Sequence, residues 1–388
     1  MKGALLLTVV YLLRCEGAVV VRTEEHPVVN DRPIIGVLSQ EQSMYLHTKY
    51  PEENYTSYIA ASYVKDVESS GARVVPILIG KDRSYYEELL RKLNGVLIPG
   101  GATYFNQSNG FADAGQHIYE IAQQMNDAGD YFPIFGTCLG FELLIILASG
   151  RGYPENRIRC YSYSNIPLDF TEGEIEIDLF LYTCTSRVKN NLISHNLTHD
   201  WRVTSYSNDD NGLKFIATVE HTRYPFYGVQ FHPEKSSFEW KLSKKYVHSI
   251  NAVKSNRYFM DFFVKECRKN LHSFASQAEE NQYVIYNYEP KFTGVLGSAY
   301  HQCYFFEPRE AIPDEWCNSS LVPIFKNKGD VLECNNYRGI KLMSHTMKVW
   351  EKVIERRLRE ESEISQNQFG FKCRVGVWYG GTDWRVLA

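Results

Sequence analysis

The run Gly136-Thr137-Cys138-Leu139-Gly140 constrains this chain more than any other stretch. It follows the apolar Phe132-Pro133-Ile134-Phe135 and opens a helical pattern carried by Phe141, Leu144, Ile145 and Ala148. Strand, tight turn and helix in that order make a nucleophile elbow. The flanking glycines allow a strained turn that pushes the thiol out of the sheet. The helix N-terminus behind it supplies amide donors and a positive dipole end, which favour a thiolate and an oxyanion. Taken alone, a Gly-x-Cys-x-Gly is more often a buried cysteine at a turn.

A second element lies 94 residues on, at Gly228-Val229-Gln230-Phe231-His232-Pro233-Glu234. It reads as a short strand ending in a histidine, with a glutamate two positions later. Cys138, His232 and Glu234 are the nucleophile, base and orienter that thiol acyl transfer requires. Their order along the chain, each at a strand end, favours chemistry over two unrelated loops.

Between and around them, short apolar runs alternate with amphipathic helical patterns, as a parallel sheet with crossover helices demands. Strands are expected at 34–38, 74–78 and 95–98. Helix faces are marked by Ala60, Tyr63, Val64 and Val67, by Tyr86, Leu89, Leu90 and Leu93, and by Ile118, Ile121, Ala122 and Met125. Gly71 stands where the first helix should stop. Pro99-Gly100-Gly101 breaks the third strand. Gly101, Cys138 and His232 then all fall at carboxyl ends of strands, where open α/β sheets place their ligands. After the His-Pro-Glu run, Tyr258, Phe259, Phe262 and Phe263 form a helical stripe that reads as core packing.

These motifs resemble class I glutamine amidotransferase domains. The finer pattern resembles gamma-glutamyl hydrolases: Arg32-Pro33-Ile34-Ile35-Gly36-Val37, the run from Tyr58 to Lys65, Phe141-Glu142 after the elbow, Pro233-Glu234-Lys235 with Glu239-Trp240, and Gln302-Cys303-Tyr304-Phe305-Phe306. The resemblance covers residues 30–307. It implies an α/β fold with a mostly parallel central sheet and helices on both faces, flavodoxin-like in order. It implies a cysteine hydrolase acting on the gamma-glutamyl bonds of folyl or antifolate poly-gamma-glutamates. Cys138 would form the acyl-enzyme, His232 would serve as acid and base, and Glu234 would orient His232. Backbone amides near Gly101 and Leu139 would hold the oxyanion. Glu142, one turn after the nucleophile, would stabilise the elbow or approach the substrate, the structural role being the stronger reading. No cofactor and no metal are expected, and a homodimer is allowed.

Three other readings stay open. One is a glutaminase-type amidotransferase subunit feeding ammonia to a synthetase. The second is a secreted pseudoenzyme, since the segment 151–211 is irregular, shorter than the family usually carries, and matches poorly from Leu181 to Asn191. That segment reads as a rim of the cleft or as a peripheral insertion. The third is nucleic-acid binding through the tail.

The net charge of −4 on 388 residues speaks against a general nucleic-acid binder, and 44% hydrophobic residues supply a real core. Lys2, the apolar stretch from Ala4 to Leu13 and the small residues up to Gly17 read as a signal peptide over 1–17. No other segment is long and apolar enough to cross a bilayer. The destination would be extracellular or lysosomal (vacuolar), and sequons at Asn54, Asn106, Asn196 and Asn318 would be glycosylation acceptors. Cys160, Cys184, Cys267, Cys303 and Cys317 are candidates for disulfides in that compartment.

Beyond a linker at 308–320 the character changes. Residues 321–371, with Asn336-Tyr337-Arg338-Gly339-Ile340 and a helical series from Met343 to Leu358, resemble a fragment of a non-LTR retrotransposon reverse transcriptase. No Asp-Asp metal-holding pair follows, so polymerase chemistry is not expected. Residues 372–388 are an unassigned tail.

Overall fold

The computed structural model describes residues 29–42, 44–49, 54–150, 167–171, 197–244 and 246–307, together with the backbone of 320–325 and 337–342. The chain divides into two units, Met1–Pro308 and Arg309–Ala388. Of the second, the described part is an antiparallel hairpin of Ser320–Phe325 with Tyr337–Leu342, paired from Ser320↔Leu342 to Phe325↔Tyr337. Residues 1–17, Asn196, Asn318, Cys160, Cys184, Cys317, the series from Met343 onward and most of 151–196 lie outside the described residues.

In the first unit the apolar runs become strands. They are β1 (Ile34–Leu38), β2 (Gln40–Glu41), β3 (Ser57–Ala60), β4 (Arg73–Ile77), β5 (Val96–Ile98), β6 (Ile134–Thr137), β7 (Asp169–Phe170), β8 (Trp201–Asn208), β9 (Lys214–His221), β10 (Phe226–Val229) and β11 (Cys303–Phe306). Eight of them form one sheet in the order β4-β1-β5-β6-β10-β9-β8-β7. From β4 to β10 all pairings are parallel, and beyond β10 they are antiparallel. The five parallel strands follow the flavodoxin-like order 2-1-3-4-5, which puts the reversal of strand order between β1 and β5.

The crossover helices are α1 (Met44–Lys49), α2 (Ala61–Ser69), α3 (Arg83–Leu90), α4 (Phe111–Asp127) and α5 (Leu139–Ala148). Strand side chains alternate between two cores. Ile34, Val75, Ile98 and Ile134 pack with Tyr86, Leu89, Ile118, Ala122, Leu143 and Leu144 of α3, α4 and α5. Ile35, Val37, Val74, Leu97 and Phe135 pack with Val64 and Val67 of α2 and with Phe259, Phe263 and Val264 of the helix Ile250–Cys267. Burial on both faces is why these strands read as continuous apolar runs. Gly71 adopts φ +85° just after α2 and ends it as expected.

Several expectations are refined. The aromatic stripe is only half core: Phe259 and Phe263 are buried, but Tyr258 is exposed and Phe262 lies edge-on to Tyr227. Within 151–211, residues 201–208 form a regular strand, with a register shift between Val203 and Tyr206. Cys267 and Cys303 are free buried thiols rather than disulfide partners. Cys267 fills the space against Gly95, where a Cβ would come within 2.6 Å of its sulfur, and Cys303 accepts from Thr293 Oγ1 at 3.6 Å. Both act as small apolar core groups.

Candidate active site

Three strand ends converge. Cys138 follows β6 with φ 51° and ψ −104°, a conformation that side chains with a Cβ rarely take. Its N–H donates to Val229 O at 2.7 Å, tying the elbow to the end of β10. The two glycines of the motif explain their own spacing. A Cβ on Gly136 would lie 2.8 Å from the Gly140 carbonyl group, and one on Gly140 would lie 2.0 Å from Ile98 O. Only without those atoms can α5 start directly against β5 and β6. Cys138 is itself fully buried. Gly100, with Tyr63 and His232 beside it, closes over the Cys138 Cβ.

His232 and Glu234 lie in the loop after β10, both buried. His232 Nδ1 stands 2.8 Å from Glu234 Oε1. A carboxylate only accepts, so Nδ1 carries the proton and Nε2 is the nitrogen left able to accept one. Burial alone would push the Glu234 carboxyl up, but the charge and hydrogen bond of His232, with Lys235 nearby, hold it below the usual carboxylate range. Its Oε2 has no partner among the described residues. Glu142, also buried, accepts from Gln230 Nε2 at 3.3 Å and thereby links α5 to the end of β10.

Gly100 and Gly101 follow β5. A Cβ on Gly100 would meet His232 Cε1 at 2.6 Å, Tyr63 Oη at 2.6 Å and Cys138 Cβ at 3.1 Å, so Cys138 and His232 flank one Cα. Leu139 opens α5, its side chain buried in the core and its amide at the helix N-terminus. Cys138, His232, Glu234, Gly101 and Leu139 are thus gathered around the carboxyl ends of β5, β6 and β10.

Tyr63, on the helix face read as core, does more than pack. Its hydroxyl accepts the Gly100 N–H at 2.9 Å and stands 3.1 Å from His232 Nδ1. Burial, then the neighbouring Glu234, pushes its phenol well above the ordinary value. Behind this pair sits Glu239, whose carboxyl accepts the His301 N–H at 2.7 Å. Burial raises Glu239 to about 7, against the hydrogen bonds from His301 and Ser62. A hydroxyl on an otherwise apolar helix face was the one signal in the sequence for Tyr63. Among the described residues no group of three His, Cys, Asp or Glu side chains is placed to share a metal ion.

A buried thiol, an imidazole held by a carboxylate and the amides of a helix start form an arrangement suited to acyl transfer. Residues 33–234 match the Peptidase C26 family model. The chain is 37% identical to human gamma-glutamyl hydrolase, the match covering 78% of this chain and 98% of that one. It is 39% identical to mouse gamma-glutamyl hydrolase over 72% and 90% of the two chains, and 32% identical to gamma-glutamyl hydrolase B of Dictyostelium discoideum over 68% and 80%. With the family model spanning over half the chain and these relatives matched along most of their length, the chain belongs to the Peptidase C26 family of gamma-glutamyl hydrolases.

Proposed function

We propose that the protein hydrolyses the gamma-glutamyl bonds of folyl poly-gamma-glutamates through a Cys138 thioester. The observation that carries this reading is the Cys138–Gly100–His232–Glu234 cluster, joined to the similarity with gamma-glutamyl hydrolases. His232 Nε2 takes the thiol proton, and Glu234 stabilises the resulting imidazolium. The thiolate attacks the gamma-carbonyl carbon, and the carbonyl oxygen takes the negative charge beside the amides of Gly101 and Leu139. As the carbon–nitrogen bond breaks, His232 gives its proton to the leaving amine. It then takes a proton from water, whose oxygen attacks the thioester and releases Cys138. Within this reading Glu142 acts on the elbow, not on the substrate, since its carboxylate is engaged by Gln230.

Entry into the secretory route through residues 1–17, with a lysosomal or extracellular destination, belongs to the same proposal. Asn54 and Asn106 are both exposed and accessible to glycosylation. Residues 321–371 are proposed to be an appended fragment without polymerase activity.

The test is a substrate panel for the purified full-length protein: folyl poly-gamma-glutamate, its alpha-linked isomer and free glutamine. Shortened gamma-linked chains with the other two untouched are expected. Release of ammonia from glutamine at a comparable rate would favour the glutaminase reading instead. Absence of all cleavage by folded protein would favour the pseudoenzyme.

A further inference from the structure

Gln40 is a buried amide that no step above uses. It sits at the start of β2, just past β1, with 1% of its surface exposed. Its Nε2 donates to Gly100 O at 2.9 Å. Its Oε1 has no partner among the described residues, an arrangement that costs stability in a merely structural amide. The same oxygen lies 1.7 Å from where a Gly101 Cβ would stand, so this side chain abuts the Gly100–Gly101 peptide directly.

The carbonyl of Gly100 and the N–H of Gly101 belong to one planar trans peptide and point in opposite directions. Holding Gly100 O toward Gln40 therefore turns the Gly101 N–H away from Gln40. The preceding peptide is fixed as well, because Gly100 N–H donates to Tyr63 Oη at 2.9 Å. Gly100 N–H is thus consumed, and Gly101 N–H is the amide that this loop has left to offer. Gln40 is itself held by the pairing of β2 with β3, in register with Tyr58. The next residue, Glu41, clamps the far side of the loop by accepting from Thr103 Oγ1 at 2.6 Å and from the Phe111 N–H at 2.8 Å.

We infer that Gln40 is a positioning residue for the reaction, fixing the Gly100–Gly101 peptide so that the Gly101 amide is preset to receive the oxyanion formed on attack by Cys138. The inference rests on the function proposed above. An amide held in place before reaction stabilises charge without reorganising, which is the source of its catalytic effect.

The test compares the full-length protein with Gln40→Met, which keeps volume and loses the donor, and Gln40→Glu, which keeps shape and sets an acceptor against the Gly100 carbonyl oxygen. Three quantities are read: turnover of folyl poly-gamma-glutamate, affinity for a glutamyl aldehyde, and the rate of haloacetamide alkylation mapped to Cys138. The aldehyde accepts the thiolate and places its oxygen where the oxyanion forms, whereas alkylation expels halide and forms no oxyanion. In both variants kcat is expected to fall by roughly 10²-fold with KM little changed, and aldehyde affinity by a similar factor. The alkylation rate should stay at the wild-type value. Turnover and aldehyde affinity at wild-type levels would overturn the inference. So would alkylation slowing in step with turnover, which would mean a disturbed elbow. A wild-type protein that is alkylated at Cys138 yet cleaves nothing would overturn the hydrolase reading itself, and the inference with it.

Discussion

The central sheet has two halves that follow different rules. From β4 to β10 the strands are parallel, apolar and buried on both faces, and the segments after β1, β5, β6 and β10 carry the clustered residues. From β9 to β7 they are antiparallel, and β8 alternates buried with exposed residues, its interior positions including Ser205 and Ser207. The parallel half supplies Gln40, Gly100, Gly101, Cys138 and His232, whereas the antiparallel half supplies none of these. A parallel sheet must send every chain end to one edge, so a few short motifs become neighbours without being near in sequence. An antiparallel extension has no such edge and serves to widen the sheet.

The largest effect that would break this contrast is at Cys138. Cys138→Ala should reduce hydrolysis of folyl poly-gamma-glutamate by about 10⁴-fold or more, while the melting temperature stays near that of the parent. Retained turnover would remove the parallel half from the chemistry.

Next comes crowding at the point where the strand ends meet. In Gly100→Ala the new Cβ collides with His232, Tyr63 and the Cys138 Cβ, and none can withdraw freely because all are buried. A displacement of His232 or Cys138 should lower kcat/KM by about 10²-fold. A variant with parent-like kinetics would show that this close approach is not needed.

A smaller effect concerns pH. Glu239 has its carboxyl raised by burial to about 7, so the folded protein holds a proton that the unfolded chain releases near 4.5. Its contribution to stability is therefore full below 4.5 and is lost as pH rises through 7, by an amount on the order of 3 kcal/mol. Glu239→Gln should flatten the decline in melting temperature between pH 5 and 7. Glu234 has the opposite sign: its lowered carboxyl stabilises at neutral pH and loses that effect as pH falls below 4.5. An unchanged pH–stability curve in Glu239→Gln would assign the decline to other groups.

The smallest effect is expected in the antiparallel half. Arg202 of β8 pairs with Glu220 of β9 at the surface. Arg202→Ala should change stability by less than about 1 kcal/mol and leave turnover unaltered. A large loss of activity would give this half a part in the site.

The same contrast explains what could be read from the sequence. The strands Ile34–Leu38, Val96–Ile98 and Ile134–Thr137, the elbow and the His-Pro-Glu run were legible because two-sided burial and a strained turn demand particular residue types at fixed spacing. The strand at 201–208 was not, because its polar interior and a bulge hide the alternation that marks a half-buried strand. Gln40 and Tyr63 were hidden for another reason. Each acts through a single hydrogen-bonding atom on a side chain whose position reads as strand end or helix core. Only the three-dimensional meeting of Gln40 with Gly100 O, and of Tyr63 with His232, gives them roles.

The most direct test of the central claim is to quench turnover of folyl poly-gamma-glutamate in acid and map the protein by mass spectrometry. An acyl group carried as a thioester on the Cys138 peptide is expected, and none in Cys138→Ala. Steady turnover with no adduct at Cys138, or with the acyl group on another residue, would contradict it.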